Sequence, residues 1–349
     1  MIKLSIIVPV YNVEPYIRPC FESIFNQGLD ENDYEVIIVN DGSTDKSMEM
    51  VTDIISQHNN ITVINQKNQG LSVARNNGIA ASKGEYILMP DSDDLLIENS
   101  LPSLLDIALR TKADIVVADF LKMTDEEING PKINCIRHQE TIVTEKTGKE
   151  LFLDDLNPYE CYIWRTLFNR RFLLNNKLSF IPGIYFQDVP FIHECYIKAE
   201  RCLRTNCLLN IYRVNRLGSA TASFNKKKAM DFCTIITKLL NLTQTEGISS
   251  NVYNKLINDA LSSFYVLLYS TAYHINNHEE KKEAISQIQN ILRIIPIEGG
   301  LKLKIYKFTI RWMPQTFMIL RRLYGKIIED KLFPYVHSSK IYNYFKTDL

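Results

Sequence analysis

The sequence is short of several things that would each name a class of protein. It has no excess charge: 40 Lys and Arg balance 40 Asp and Glu, so no whole-molecule attraction draws it to nucleic acid or to an acidic partner. Any charged partner has to be met by a local patch, and nucleic acid is not expected. No C-x-x-C pair occurs among the seven cysteines, Cys20, Cys135, Cys161, Cys195, Cys202, Cys207 and Cys233. That odd, scattered set fits reduced cytosolic thiols rather than a disulfide scaffold. No apolar run is long enough to span a bilayer, and Leu4-Ser5-Ile6-Ile7-Val8 is cut short by Pro9, Tyr11 and Asn12. It reads as a strand, so the expected location is the cytoplasm, with membrane contact open only from that side. There are no internal repeats and no low-complexity tract, and no G-x-G-x-x-G follows the first strand, which argues against dinucleotide binding.

What remains is 349 residues, 46% hydrophobic and 23% charged, enough for one large domain with an appendage or for two domains. Through residue 120, β-branched apolar runs alternate with segments of helical period, the pattern of a sheet with crossover helices. The expected strands are Leu4 to Val8, Glu35 to Asn40, Ile61 to Asn65, Tyr86 to Met89 and Asp114 to Asp119. Helices are expected at Glu14 to Asn26 and at Asp45 to Gln57, with Ser43 or Thr44 capping the second. Residues 125–144 are irregular and polar, 145–215 mix helix and strand signals, and after about residue 225 the chain reads as helical, notably at Lys228 to Thr245 and Val252 to His274. The boundary is placed near 225.

Polar clusters follow the first four strands, and in a parallel sheet they share the carboxyl edge, where α/β proteins bind ligands. The sharpest is Asp91-Ser92-Asp93-Asp94. Three carboxylates within four residues repel one another; a divalent cation relieves that, and oxygen ligands favour Mg²⁺ or Mn²⁺. An acidic helix N-terminus is the plainer alternative. Asn40-Asp41-Gly42-Ser43-Thr44-Asp45 offers a carboxylate for a base or ribose, or else an ordinary capped turn. Arg75, in Gly70-Leu71-Ser72-Val73-Ala74-Arg75-Asn76-Asn77-Gly78, is either a diphosphate clamp or a solvated helix residue.

Taken together, in order and spacing, these segments and Ser5-Ile6-Ile7-Val8-Pro9-Val10-Tyr11-Asn12 resemble the family 2 glycosyltransferases of GT-A fold, continuously through about residue 120. The resemblance implies an α/β fold with a mixed, mainly parallel sheet flanked by helices: residues 1–225 catalytic (1–120 the donor half, 121–225 the acceptor half) and 226–349 a helical extension. It implies an inverting transfer of a sugar from a nucleotide diphosphate, with a UDP-sugar the expected donor and Mn²⁺ or Mg²⁺ the cofactor. The acceptor would be a glycan or lipid-linked glycan in cell-surface polysaccharide synthesis. Pro9, Val10 and Tyr11 would frame the nucleoside, Asp41 the uracil or ribose, and Arg75 the base and diphosphate. Asp91 and Ser92 would lie at the donor, with Asp91 holding ribose or a metal water and Asp93 the metal directly.

The family's acidic pair matches Gln187-Asp188, so Asp188 is the expected general base, with Gln187 in place of the usual Glu. Trp164 matches the segment beneath the acceptor, as a sugar platform or a core residue, and Thr166 stands where Lys is common. Arg213 and Arg216 match a loop that closes over the diphosphate. His193, five residues past Asp188, is near enough to note, while His274 and His278 share an i, i+4 spacing without a further metal motif. From 299 to 328 no acidic residue appears among seven basic ones and several aromatics. That segment suits peripheral contact with an anionic membrane face, or a helical hairpin with solvated lysines. The rival functions are a sugar nucleotidyltransferase, which lacks its expected basic phosphate loop here, and a non-catalytic nucleotide-sugar binding module.

Overall fold

The structure is a computed structural model and describes residues 1–136, 140–158, 160–215, 225–296, 308 and 312. The chain forms two compact units, Met1–Ser219 and Ala220–Leu349.

The first unit begins with β1 (Leu4–Val10), α1 (Ile17–Phe25), β2 (Tyr34–Asn40), α2 (Thr52–Gln57), β3 (Ile61–Asn65), α3 (Leu71–Ala81) and β4 (Tyr86–Leu88). It continues through β5 (Leu95–Leu96), α4 (Leu101–Thr111), β6 (Ile115–Met123), α5 (Asp125–Ile128), β7 (Val143–Lys146) and α6 (Gly148–Glu150). It closes with β8 (Thr166–Asn169), α7 (Arg170–Asn175), α8 (Asp188–Lys198) and β9 (Cys202–Arg213). One nine-stranded sheet runs in the order β3-β2-β1-β4-β8-β6-β9-β5, with β7 also on β9. This is the mixed sheet with flanking helices that the motifs implied. Its N-terminal half, β1 to β4, is parallel, and β8 enters antiparallel between β4 and β6.

Burial explains the strand sequences. Every residue of β1 is buried, as is every residue of β2 except its last, because helices cover both faces of a parallel sheet and leave no polar side. The crossovers bring helices very close to the strands. A Cβ on Gly78 of α3 would lie 2.2 Å from Ile7 Cγ2, so only glycine lets α3 settle onto β1. Gly70, at φ +86°, opens the same helix in a backbone region that other residues rarely adopt.

Two expectations are corrected, the first by local hydrogen bonding. Residues 45–57 are helical only over Glu49–Gln57, because the side chains before them are committed elsewhere. Asn12 Oδ1 accepts from Thr44 N at 2.8 Å, Ser47 Oγ accepts from Val13 N at 2.8 Å, and Asp45 Oδ2 accepts from Glu14 N at 3.0 Å. Polar side chains that could cap a helix therefore tie the β1 loop to the β2 loop instead. The last expected strand continues past Asp119 to Met123, and α8 carries Pro190 in its first turn, where no intrahelical N–H is needed.

In the second unit, α9 (Lys226–Leu242) packs on α10 (Ser250–Tyr273) and α11 (His278–Ile294). Asn225, Ser249 and Asn277 cap the three N-termini, and Phe232, Ile235, Ile236 and Leu239 recur at helical spacing along the buried face of α9. His274 ends α10 and His278 begins α11, so they do not share one helix face. Among the described residues no helix is long and apolar enough to cross a membrane. Apart from Phe308 and Trp312, the basic segment 299–328 lies outside the described residues, as does Arg216.

Candidate active site

The site forms where the sheet's carboxyl ends meet α3 and α8. At the end of β1, Pro9 and Val10 are buried while Tyr11 is 48% exposed, leaving its ring available to stack on a ligand. Leu71 at the start of α3 is also exposed, a position the motifs did not single out.

Asp41, which follows β2, is buried and largely engaged. Its Oδ1 accepts from Gln66 Nε2 at 2.7 Å and from Gln69 N at 2.8 Å, and its Oδ2 accepts from Gly70 N at 2.8 Å. A carboxylate has about four lone-pair sites, so little is left for a nucleoside. What Asp41 visibly does is hold the 66–70 loop and the first turn of α3 in place.

That helix presents Arg75, which is 2% exposed. Its Nη2 lies 2.5 Å from Asp91 Oδ1, its guanidinium sits 5.4 Å from the centre of the Phe180 ring, and its Nε is buried without a partner. Phe180 stacks in turn on Phe191 of α8 at 3.9 Å, and Asn76 exchanges two hydrogen bonds with the Phe180 backbone. Phe180 is 105 residues away in sequence, which is why motif spacing did not reveal it as Arg75's support.

The carboxylates of Asp91, Asp93 and Asp94 offer oxygens that all lie within 4.8 Å of one another. Asp94 is buried; its Oδ1 accepts from Arg213 N at 2.8 Å and its Oδ2 has no partner. Burial, then the charges of Asp93 and Asp91, hold its carboxyl well above the usual carboxylate range. Ser92 is buried between the acids. Cys20 packs below them, with Sγ 3.7 Å from Asp91 O, and its thiol is pushed up by burial and by the three carboxylates, which makes it an inert packing residue. An all-oxygen donor set with an orphaned buried carboxylate oxygen fits Mg²⁺ or Mn²⁺, and does not suit zinc.

Arg213, expected on a closing loop, is the last residue of β9 and is buried. Its Nε donates to Asp93 O at 2.8 Å, its Nη1 pairs with Asp125, and its guanidinium lies 4.9 Å from the centre of the Tyr16 ring. It braces the acidic turn from behind.

Asp188 opens α8 with part of its surface accessible. Its carboxyl is pushed from 3.8 to about 6, chiefly by burial, against the opposing charge of Arg75. Phe186, two residues earlier, is held at φ +55°, a left-handed conformation costing about 1–2 kcal/mol that turns the chain sharply into the helix. Gln187 between them is buried. His193 is fully buried one turn further on, with Nδ1 2.7 Å from Val189 O and 3.9 Å from Cys161 Sγ, and serves as a core residue. Trp164 is only 3% exposed, packed among Tyr162 at 4.7 Å, Tyr212 at 5.5 Å and the edge-on ring of Phe120 at 4.9 Å. The two tyrosines also meet each other at 5.5 Å, so the rings form a cluster in which Trp164 is a buried core residue.

Residues 5–173 match the model of "Glycosyl transferase family 2". An uncharacterized glycosyltransferase of Bacillus subtilis, EpsJ, is 35% identical over 231 residues, a stretch spanning 65% of this chain and 65% of that protein. The crystal structure of TarS 1–349 of S. aureus in complex with UDP-GlcNAc superposes with a TM-score of 0.73 at 18% identity, covering 93% of this chain and 92% of that one. The mannosyltransferase PcManGT of Pyrobaculum calidifontis, in complex with GDP-Man and Mn²⁺, gives 0.54 at 15% identity, covering 93% and 88%. At these identities the two structures speak for the fold, which is GT-A.

Proposed function

We propose, from the premise that this chain belongs to glycosyltransferase family 2, that it is an inverting enzyme moving a sugar from a nucleotide diphosphate to an acceptor hydroxyl. The observation that carries the reading is the pairing of three carboxylates within 4.8 Å with a raised, partly accessible carboxyl at Asp188, both bordering the same buried Arg75. The donor half agrees: Tyr11 offers a ring face for the base, and Asp41 sets the loop beneath it. UDP is the expected nucleotide, since a structure of the same fold holds UDP-GlcNAc. A surface glycan or lipid-linked glycan is the expected acceptor, met on the cytoplasmic side.

In the transfer, the acceptor oxygen forms a bond to the anomeric carbon as the bond from that carbon to the diphosphate breaks. Asp188 takes the acceptor's proton. With its carboxyl at about 6 it is ionised at neutral pH yet more basic than a free aspartate, which suits a general base worth roughly 10²- to 10⁴-fold in rate. Arg75 keeps Asp91 in place and lends its charge to the diphosphate side. Mg²⁺ or Mn²⁺ held by Asp93 and Asp91 would supply Lewis-acid stabilisation of the charge on the departing diphosphate.

The test is UDP release from a panel of UDP-sugars with Mn²⁺ or Mg²⁺, comparing the native chain with Asp93→Ala and Asp188→Asn. Turnover of one donor, lost in Asp93→Ala and on chelation, is expected. No turnover together with no metal-dependent UDP binding would move the protein to the class of non-catalytic modules.

A further inference from the structure

Arg75 sits on α3, which leads into β4, and Asp188 sits on α8, which leads into β9, two strands that the sheet order separates by β8 and β6. The sheet alone therefore does not fix the base against the arginine. A ladder of side chains joins them. Phe191, one turn past Asp188 on α8, meets Phe168 of β8 at a steep angle at 5.7 Å and lies nearly parallel to Phe180, with ring centres 3.9 Å apart and planes at 15°. The guanidinium of Arg75 then lies 5.4 Å from the centre of the Phe180 ring. All four side chains are at most 2% exposed. With Nε unpartnered, Arg75 is fixed by its ion pair with Asp91 and by Phe180.

Phe180 belongs to no helix or strand, and its place comes from Asn76, the neighbour of Arg75 on α3. Asn76 Nδ2 donates to Phe180 O at 2.9 Å, and Asn76 Oδ1 accepts from Phe180 N at 2.9 Å. A loop residue held by both its N–H and its C=O moves with the helix that holds it.

We propose that Asn76 and Phe180 form a clip that sets α8 against α3, making Phe180 a positioning residue that fixes where the Asp188 carboxylate stands relative to Arg75. The roles of Asp188 and Arg75 rest on the glycosyltransferase reading; the clip does not. A flat ring attracts a guanidinium and stacks on another ring, so it constrains tilt as well as distance, which an aliphatic side chain does not. Asp188 and Phe191 are three residues apart on one helix, so a shift in the stack reaches the carboxylate. A displacement of about 1 Å at a reacting group can cost about a hundredfold in rate. Arg75 keeps its ion pair with Asp91 when the ring is lost, so donor binding is spared.

The test compares Phe180→Leu, Asn76→Ala and the double variant with the native chain, with Leu104→Ala, a core substitution in α4, as the control for lost stability. UDP release at saturating UDP-sugar and Mn²⁺ gives kcat, calorimetry gives UDP affinity in Mn²⁺, and thermal unfolding gives Tm. Each single clip variant is expected to lower kcat roughly ten- to hundredfold with UDP affinity within about twofold of native. Because both break one clip, the double variant should stay within about threefold of the slower single one. Leu104→Ala should lower Tm at least as far and leave kcat within about twofold. Asn76→Ala leaves every ring of the ladder in place and keeps the test decisive where Phe180→Leu fails to fold. Native kcat in the clip variants, UDP affinity falling in step with kcat, an equal kcat loss in Leu104→Ala, or losses that multiply in the double variant would overturn the proposal. Absence of UDP binding and turnover in the native chain would count instead against the glycosyltransferase reading.

Discussion

Asp188→Asn is expected to stabilise the protein while disabling it. The Asp188 carboxyl stands at about 6 in the folded chain against an ordinary 3.8, so the folded state holds its proton more tightly than the unfolded state does. Below pH 3.8 both states are protonated and the site costs nothing. As pH rises from 3.8 to 6 the unfolded state ionises first, and stability falls. Above 6 the full cost is present, about 3 kcal/mol for a shift of about two units, falling to about half of that near pH 5 and to little near pH 4. Asparagine cannot ionise and escapes this cost, in which the attraction of Arg75 is already counted, so about 1–3 kcal/mol is the expected gain at pH 7.5 once the imperfect fit of the amide is allowed for. At roughly 2–4 °C per kcal/mol for a unit of this size, the variant should melt several degrees above the native chain. The assay is thermal unfolding of both proteins from pH 4 to 8 in chelator, read as the difference in Tm. UDP release by the variant should be down by roughly 10²- to 10⁴-fold. A Tm difference that does not grow with pH, or a variant less stable than the native chain at pH 8, would refute the assignment of a buried, raised carboxyl.

Three further outcomes follow from the same geometry. The rate at subsaturating donor should rise through about pH 6 and then level, as the Asp188 carboxylate forms; a flat profile between pH 5 and 8 argues that another group takes the proton. Gly78→Ala should cost about 1–3 kcal/mol, because its methyl would sit 2.2 Å from Ile7 Cγ2, and Ile7→Ala in the same chain should recover part of that; strictly additive losses in denaturant melts would contradict the contact. Asp41→Ala strands the N–H groups of Gln69 and Gly70 and the amide of Gln66, so stability should fall by about 1–3 kcal/mol and UDP affinity with it; unchanged calorimetry on both counts would show that the 66–70 loop holds itself.

The donor side of the site was legible because its pieces are short segments fixed to consecutive strand ends. Val8-Pro9-Val10-Tyr11, Asp41 and Asp91 to Asp94 each follow an apolar run, and a parallel sheet with crossovers has no choice but to bring those ends to one edge. Roles inside those segments were less legible. Asp41 and Arg213 carry the charges a ligand would want, yet their hydrogen bonds go to the protein, and which partner a polar side chain finds depends on loops brought close by packing. The helix expected from Asp45 failed for the same reason, since Asn12, 32 residues upstream of Thr44, claimed the polar groups that would have capped it.

The sequence alone determined the alternation of strands and helices through residue 120 and the acidic turn after β4. Periodicity and steric need act over a few residues and leave their mark in the chain. Only the tertiary structure decided that Phe180 supports Arg75, that Asp188 faces that arginine from α8 with a raised carboxyl, and that Trp164 is buried in a cluster with Tyr162 and Tyr212. Desolvation and charge pairing depend on distance in space, and β8, entering antiparallel between β4 and β6, brings together residues that no spacing in the sequence connects.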